Sequence, residues 1–381
     1  MASSGDESWE FRRCVATCWQ TGCAAELQRN KADDTYLTEG IEEIGAHLAS
    51  VDYCSPLCDA DKNEAYQRAD TFWLKLSSWD CSSDCSYRCM WLIEDKKKGT
   101  KAAVGLVAME KYFGKWPFVR AFGAQEPASV LFSILNLVAN MVCFFKILGI
   151  LQCTNTHNKS SSFANTRHSP RLATNSTSTT TSSSSGTIST LKIYCFLWLI
   201  HFALSSNAWL WSSIFHCRDT RLTERLDYFS AGALVGFNLF LSVTRVVGVV
   251  KLRIFAGIGL SILVMYSMHV YRMLNVLFDY GLHVGLCVAA GAMQTAVWLA
   301  WALGSKYGRS HPGRAYLLAF MAAVNVAMLL EILDFPPLWK IIDAHALWHA
   351  GTAPLAVLWY RFVAADVALL LGNRTAYKAK I

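Results

Sequence analysis

Apolar residues in this chain are gathered into long uninterrupted runs from Ala128 to the C-terminal region, where a soluble core would break them with charges every few positions. A bilayer crossing needs roughly 20 mostly apolar residues. The runs predict seven transmembrane helices at about 128–145, 193–215, 228–244, 254–271, 280–303, 315–333 and 344–360. Before Pro127 no run reaches span length, and the chain is instead rich in Cys, Trp and charge. Gly114 to Pro127, with two prolines and several aromatics, reads as an approach to the headgroup level, which Trp and Tyr rings favour.

The predicted fold is therefore an all-α membrane protein: a seven-helix bundle behind an N-terminal Cys-rich domain. Residues 1–126 form that domain, 127–363 the membrane domain, and 364–381 a tail. The loop 153–191 is almost all Ser, Thr, Asn and Gly between Ser160 and Thr190, too polar to bury a core, and predicts disorder. Lys159, Arg167, Arg171 and Lys192 flank or punctuate this loop without an acid, which marks it cytosolic. Lys251 and Arg253, then Lys306, Arg309 and Arg314, mark two further cytosolic turns, so the N-terminus is expected in the lumen and the C-terminus in the cytosol. On that topology Asn158 and Asn175, both in glycosylation sequons, should carry no glycan. Lys378 and Lys380 stand at the wrong offsets for a dilysine retrieval signal.

Composition agrees with the pattern. Of 381 residues, 53% are apolar and only 17% charged, and the net charge of +7 is spread over short loops with no aromatic-laced basic patch for nucleic acid. Cys14, Cys18, Cys23, Cys54, Cys58, Cys81, Cys85 and Cys89 all precede the first apolar run. Eight is an even number, as expected of four disulfides in an oxidising lumen. Zinc is the other reading of thiols at this density, though Cys-x3-Cys spacings are not paired knuckles and few His accompany them. Met1 to Glu7 carries no apolar signal segment, so either the sequence is a mature or truncated form or the first span directs translocation.

The candidate chemistry lies at the ends of the runs. A spacing of four puts Ser212 and His216 on one helical face, and likewise His345 and His349. With Asp227, all five fall at one predicted depth, and ionisable groups in a bilayer usually face the bundle interior and serve a function. Three imidazoles with a fourth position left open are what a catalytic zinc needs. The bland readings are that Asp227 caps the third helix and that Ser212 bonds back to the carbonyl four residues earlier. His201, His269 and His283 read as hydrogen-bonded packing residues. Arg218 and Arg221, in a loop with Asp219, Glu224 and Arg225, read equally as exposed ion pairs or as partners of a lipid phosphate.

Ser-x3-His, an Asp eleven residues on, and a distant His-x3-His resemble the CREST superfamily of seven-helix membrane hydrolases, which includes the alkaline ceramidases. Cys81 to Trp91, Gly114 to Phe118, Gln125 to Ser129 and Phe215 to Asp219 look like the post-GPI-attachment, Per-like family of GPI-anchor remodelling phospholipases. The resemblance covers nearly the whole chain. It implies a zinc-dependent phospholipase A2-type hydrolase of the ER or Golgi membrane that removes an acyl chain, the sn-2 chain by expectation, from GPI-anchored proteins. His216, His345 and His349 would hold Zn2+, Asp227 would handle the proton and Ser212 would steady the oxyanion. The alternatives are a ceramidase-like amidase served by the same five residues, a seven-helix receptor, and a lumenal folding or ion-homeostasis factor.

Overall fold

The computed structural model describes residues 3–22, 72–74, 76–101, 109–165, 182–247 and 252–370. Cys23, Cys54, Cys58, the centre of the serine-rich insert and residues 371–381 of the C-terminal tail lie outside them, while 364–370 continue the last helix. The chain divides into two compact units. One comprises Met1–Ala128, His216–Arg218 and Asp334–Ala344; the other comprises Ser129–Phe215, Asp219–Leu333 and His345–Ile381.

In the first unit, α1 (Trp9–Gly22) and α2 (Cys81–Lys101) are joined by the disulfides Cys14–Cys89 and Cys18–Cys85. Each helix offers two cysteines four residues apart, hence on one face. The reversed order of pairing makes the helices antiparallel. Cys81 is disulfide-bonded as well. The bond closing the 75-residue separation stabilises by roughly 4 kcal/mol through chain entropy, and the second, nested within it, adds less. Phe11, Cys14, Cys89, Ile93 and Tyr112 form a small core beside the bonds. Tyr112 donates to the buried Glu94 carboxylate at 3.0 Å, and burial together with that negative charge raises its hydroxyl pKa. Gly5 must be glycine: a Cβ there would meet the Lys111 carbonyl oxygen at 2.6 Å and the Tyr112 ring at 2.8 Å.

The second unit is a helix bundle. Its elements are α3 (Pro127–Asn165), α4 (Ser182–Cys217), α5 (Arg221–Val247), α6 (Leu252–Asn275), α7 (Tyr280–Leu299) running into a π-turn at Ala300–Gly304, α8 (Arg314–Leu333), α9 (Ala344–Thr352) and α10 (Leu355–Leu370). Among the described residues no strand forms; only isolated bridges occur. Pro127 opens α3 at the first helical position, where its missing N–H is no loss. Pro354 separates α9 from α10, because it cannot donate to the turn before it. Trp198, Phe202, Trp298, Trp359 and Phe362 make the centre of the core, with edge-on ring contacts such as Trp298–Phe362 at 5.2 Å.

Among the described residues, six helical stretches are long and apolar enough to cross a membrane: Pro127–Ile150, Arg221–Val247, Arg253–Asn275, Tyr280–Gly304, Arg314–Leu333 and Ala344–Leu370. The protein is thus a multi-pass membrane protein. The span expected at 193–215 lies within α4, which is not among the six. Its C-terminal half carries His201, Ser205, Ser206, Asn207, Ser212 and Ser213, and four of these bond to neighbouring helices.

Two boundaries are corrected. The third span begins at Arg221, not near 228. Thr220 and Thr223 bond each other's backbone N–H and set the helix start, so Asp227 sits in the second turn and not at the helix start. The serine-rich insert is also less irregular than its composition predicts. Helical backbone runs to Asn165 and resumes at Ser182, since extending an existing helix is far easier than starting one.

Candidate metal centre

α3 and α4 run antiparallel, with polar contacts at intervals along both: Ser205 donates to Asn140 at 2.7 Å, and the Ser212 and Ser133 hydroxyls lie 3.0 Å apart. Where α4 ends, its last carbonyls need partners from outside the helix. The N–H groups of Gln125 and Glu126 donate to the carbonyls of Cys217 and His216 at 2.9 and 3.0 Å. This brings the Glu126 carboxylate to His216 Nδ1, 2.6 Å away, with both side chains buried. Burial alone would raise the Glu126 pKa, but Lys115 at 2.6 Å and the His216 imidazole outweigh it and hold the carboxyl well below its usual range. Glu126 is therefore a carboxylate, and it orients His216 by accepting at Nδ1.

In the second unit the same device recurs. His345 Nδ1 lies 2.6 Å from Glu331 Oε2 across the connection between α8 and α9. The His345 and His349 Nε2 atoms face each other at 2.9 Å, as one-turn spacing on α9 allows. His349 is buried, and its carbonyl accepts from Asn136 of α3 at 2.8 Å. Its ring lies edge-on to Trp209 of α4, centroids 5.3 Å apart. Ser212 is one turn beyond Trp209 on the same helix. Carboxylate bonding at Nδ1 with Nε2 turned inward is the arrangement that metal-ligating histidines adopt.

Ser213 bonds back to the Trp209 carbonyl at 2.8 Å, and Ser212 is buried with its hydroxyl 3.0 Å from that of Ser133. Asp227 is half-buried on α5. Arg218 donates to Ser83 Oγ at 2.7 Å and lies 4.4 Å over the Trp79 ring, whereas Arg221 is exposed at the start of α5. His201 lies 2.6 Å from Asn238 and accepts from Trp359 at 2.8 Å, and His269 and His283 lie 3.0 Å apart.

Glu126, Glu331 and Ser133 are absent from the sequence reading of the site. The first stands in the motif Gln125-Glu126-Pro127, and the Pro after it signals a helix start, but nothing local ties it to an imidazole 90 positions later. Glu331 is an acid inside an apolar run, which was the available signal.

Comparison with known proteins agrees in extent with this architecture. The Per1-like family matches residues 71–367. A Cricetulus griseus protein described as GPI-specific phospholipase A2-like PGAP3 is 33% identical over 84% of this chain and 86% of its own. Its Danio rerio counterpart of the same description is 30% identical over 98% and 93%. The Drosophila melanogaster post-GPI attachment to proteins factor 3 is 30% identical over 95% and 89%. No solved structure matches the chain. Over most of its length, therefore, the chain belongs to the Per1-like family.

Proposed function

We propose that this protein is a hydrolase of GPI lipid remodelling that removes an acyl chain, the sn-2 chain by preference, from GPI-anchored proteins, with His216, His345 and His349 as ligands of one zinc ion. The reading of the substrate rests on the relatives, described as GPI-specific phospholipase A2-like. The observation that carries the chemistry is the repeated carboxylate–imidazole pair, Glu126–His216 and Glu331–His345, each at 2.6 Å. A ligating histidine gains basicity and a fixed ring from such a partner. Each of the three histidines offers one ring nitrogen as a metal ligand. Nitrogen donors backed by carboxylates suit zinc.

Zinc bound there would supply a Lewis acid and bring the pKa of water to about 7. Asp227 would accept a proton from that water and return one to the leaving alkoxide. Ser212, its hydroxyl held by Ser133, would donate to the oxyanion as it develops. The N-terminal unit would face the lumen of the ER or Golgi, with the ester at the headgroup boundary.

The test is turnover by purified protein in lipid nanodiscs carrying a GPI-anchored substrate, with metal content measured on the same sample. Release of fatty acid that stops on chelation and resumes with zinc is expected. Release from ceramide but not from the GPI lipid would replace the substrate, and release unaffected by chelation would remove the metal.

A further inference from the structure

All six non-glycine residues with left-handed backbone among the described residues fall in the first unit, and three are aromatic: Phe113, Phe122 and Trp339. Ala121 to Ala124 closes a tight turn through reciprocal backbone bonds of 3.2 and 2.9 Å, with φ of +51° at Phe122 and +75° at Gly123. Leu338 to Ile342 closes another, with φ of +52° at Trp339 and +62° at Lys340. Positive φ at both central residues is the geometry that Asn-Gly favours, and a bulky side chain there is strained.

Strain of this kind persists where the surroundings require it. Here no core asks for the side chains. Phe122 is 75% exposed and Trp339 80% exposed. Their neighbours are exposed apolar residues too: Trp73, in edge contact with Phe122 at 5.7 Å, and Leu338 and Ile341 beside Trp339. The two turns are tied together by the Val119 N–H, which donates to the Lys340 carbonyl at 2.9 Å.

Connectivity says what meets these tips. Phe122 precedes the span that starts at Pro127 by five residues, and Trp339 sits between a span ending at Leu333 and one starting at Ala344. Five residues reach at most about 17 Å even when fully extended. A tight turn reaches much less, which confines both tips to the edge of the bilayer, where the headgroup layer is roughly 5–8 Å deep on each side. Aromatic rings are the side chains that this layer favours.

From this we propose that the Phe122 and Trp339 turns form a two-point lipid-contact surface of the first unit, their rings inserted among the headgroups, with the left-handed backbone holding each ring outward. The proposal depends on the membrane architecture and not on the hydrolase reading. Its partner is the bilayer surface itself.

The test uses the full chain labelled with 5-fluorotryptophan in nanodiscs. Trp339→Phe identifies the Trp339 fluorine signal, and Phe122→Trp adds one at the other tip. Trp9, 64% exposed on α1, serves as the comparison in the same unit. A nitroxide on the lipid headgroup should broaden the Trp339 and Phe122→Trp signals several-fold more than that of Trp9, and a gadolinium chelate in water should do the reverse. If the chelate broadens Trp339 as it does Trp9, the tips are in water and the proposal fails. If neither agent reaches Trp339, another protein surface covers it, and the proposal fails equally. Phe122→Asn, which suits the turn, should leave thermal unfolding unchanged or raise its midpoint while removing the lipid contact; a lowered midpoint would make Phe122 a packing residue instead.

Discussion

Two polar networks in the helical unit each pair a carboxylate with an imidazole, and they are completed in opposite ways. In one, Asp366 of α10 is gripped by Arg245, in the last turn of α5, through bonds of 2.8 and 3.0 Å, and His311 Nε2 lies 3.2 Å from the same carboxylate. The other ring nitrogen of His311 accepts from the Gly313 N–H at 3.1 Å. In the other network, Glu331 takes Nδ1 of His345, and the remaining nitrogen is aimed at Nε2 of a second imidazole. The first is closed around its carboxylate: the Arg245 guanidinium bonds both oxygens, and His311 Nε2 stands beside one of them. The second sets two imidazole Nε2 atoms face to face, an arrangement that a shared cation or proton satisfies. What a histidine is for is thus read from where its second nitrogen points, since a carboxylate partner is common to both.

The sharpest way to break this comparison is to exchange the fates of the two histidine sets. His345→Ala or His349→Ala should abolish metal binding and activity together, measured by elemental analysis and lipid turnover. His311→Ala should lower thermal stability while the protein that remains folded keeps its metal and turns over substrate. Full metal content in both site variants would place the two networks in one class and end the zinc reading.

Asp227→Asn and Ser212→Ala act on the chemistry alone. The first should keep metal and lose about 100- to 10,000-fold in kcat. The second should lose about 100- to 1,000-fold, with little change in KM. An acyl-enzyme trapped on Ser212 would instead make the serine a nucleophile.

Glu331→Gln asks whether the carboxylate is part of the device. Metal affinity should fall about 10- to 100-fold, and excess zinc should restore turnover. An effect on unfolding with no effect on affinity would make Glu331 a packing partner like Asp366.

Much of this difference was already written in local spacing, and the rest needed the third dimension. The one-turn pairs were legible: His345 and His349 meet at 2.9 Å because i and i+4 share a helix face. The cysteine pairs were legible as faces but not as bonds, since Cys14 joins Cys89 and not Cys85 only once α1 and α2 are known to be antiparallel. Asp227 was misplaced by about two turns because the apolar run was taken as the helix, while Thr220-x-x-Thr223 already marked its start. Glu126 and Ser133 could not be found, as their partners lie 90 and 79 positions away and no local preference encodes a contact between helices. Nor could the Trp339 turn, because nothing in Leu-Trp-Lys-Ile favours left-handed backbone.

The smallest effect is predicted for the change that looks most drastic. Removing one partner of the closed network, as in Arg245→Met, leaves the fully buried Asp366 carboxylate short of its main counter-charge, and should cost about 3–5 kcal/mol of stability. Replacing both, Arg245→Met with Asp366→Leu, removes the charge along with its partner. Buried pairs exchanged for apolar residues of similar volume are often neutral, so the double variant should recover to within about 1 kcal/mol of the parent, short by whatever His311 loses at Nε2. Turnover per folded molecule should stay within a few-fold in Arg245→Met, Asp366→Leu and the double variant, because this network orients helices and touches no donor of the metal group. A double-mutant cycle in thermal unfolding supplies the coupling, and the same samples supply the rate. If the double variant folds as well as the parent yet loses its metal, the two networks are coupled through α5 and α10, and the closed one positions the site that the open one forms.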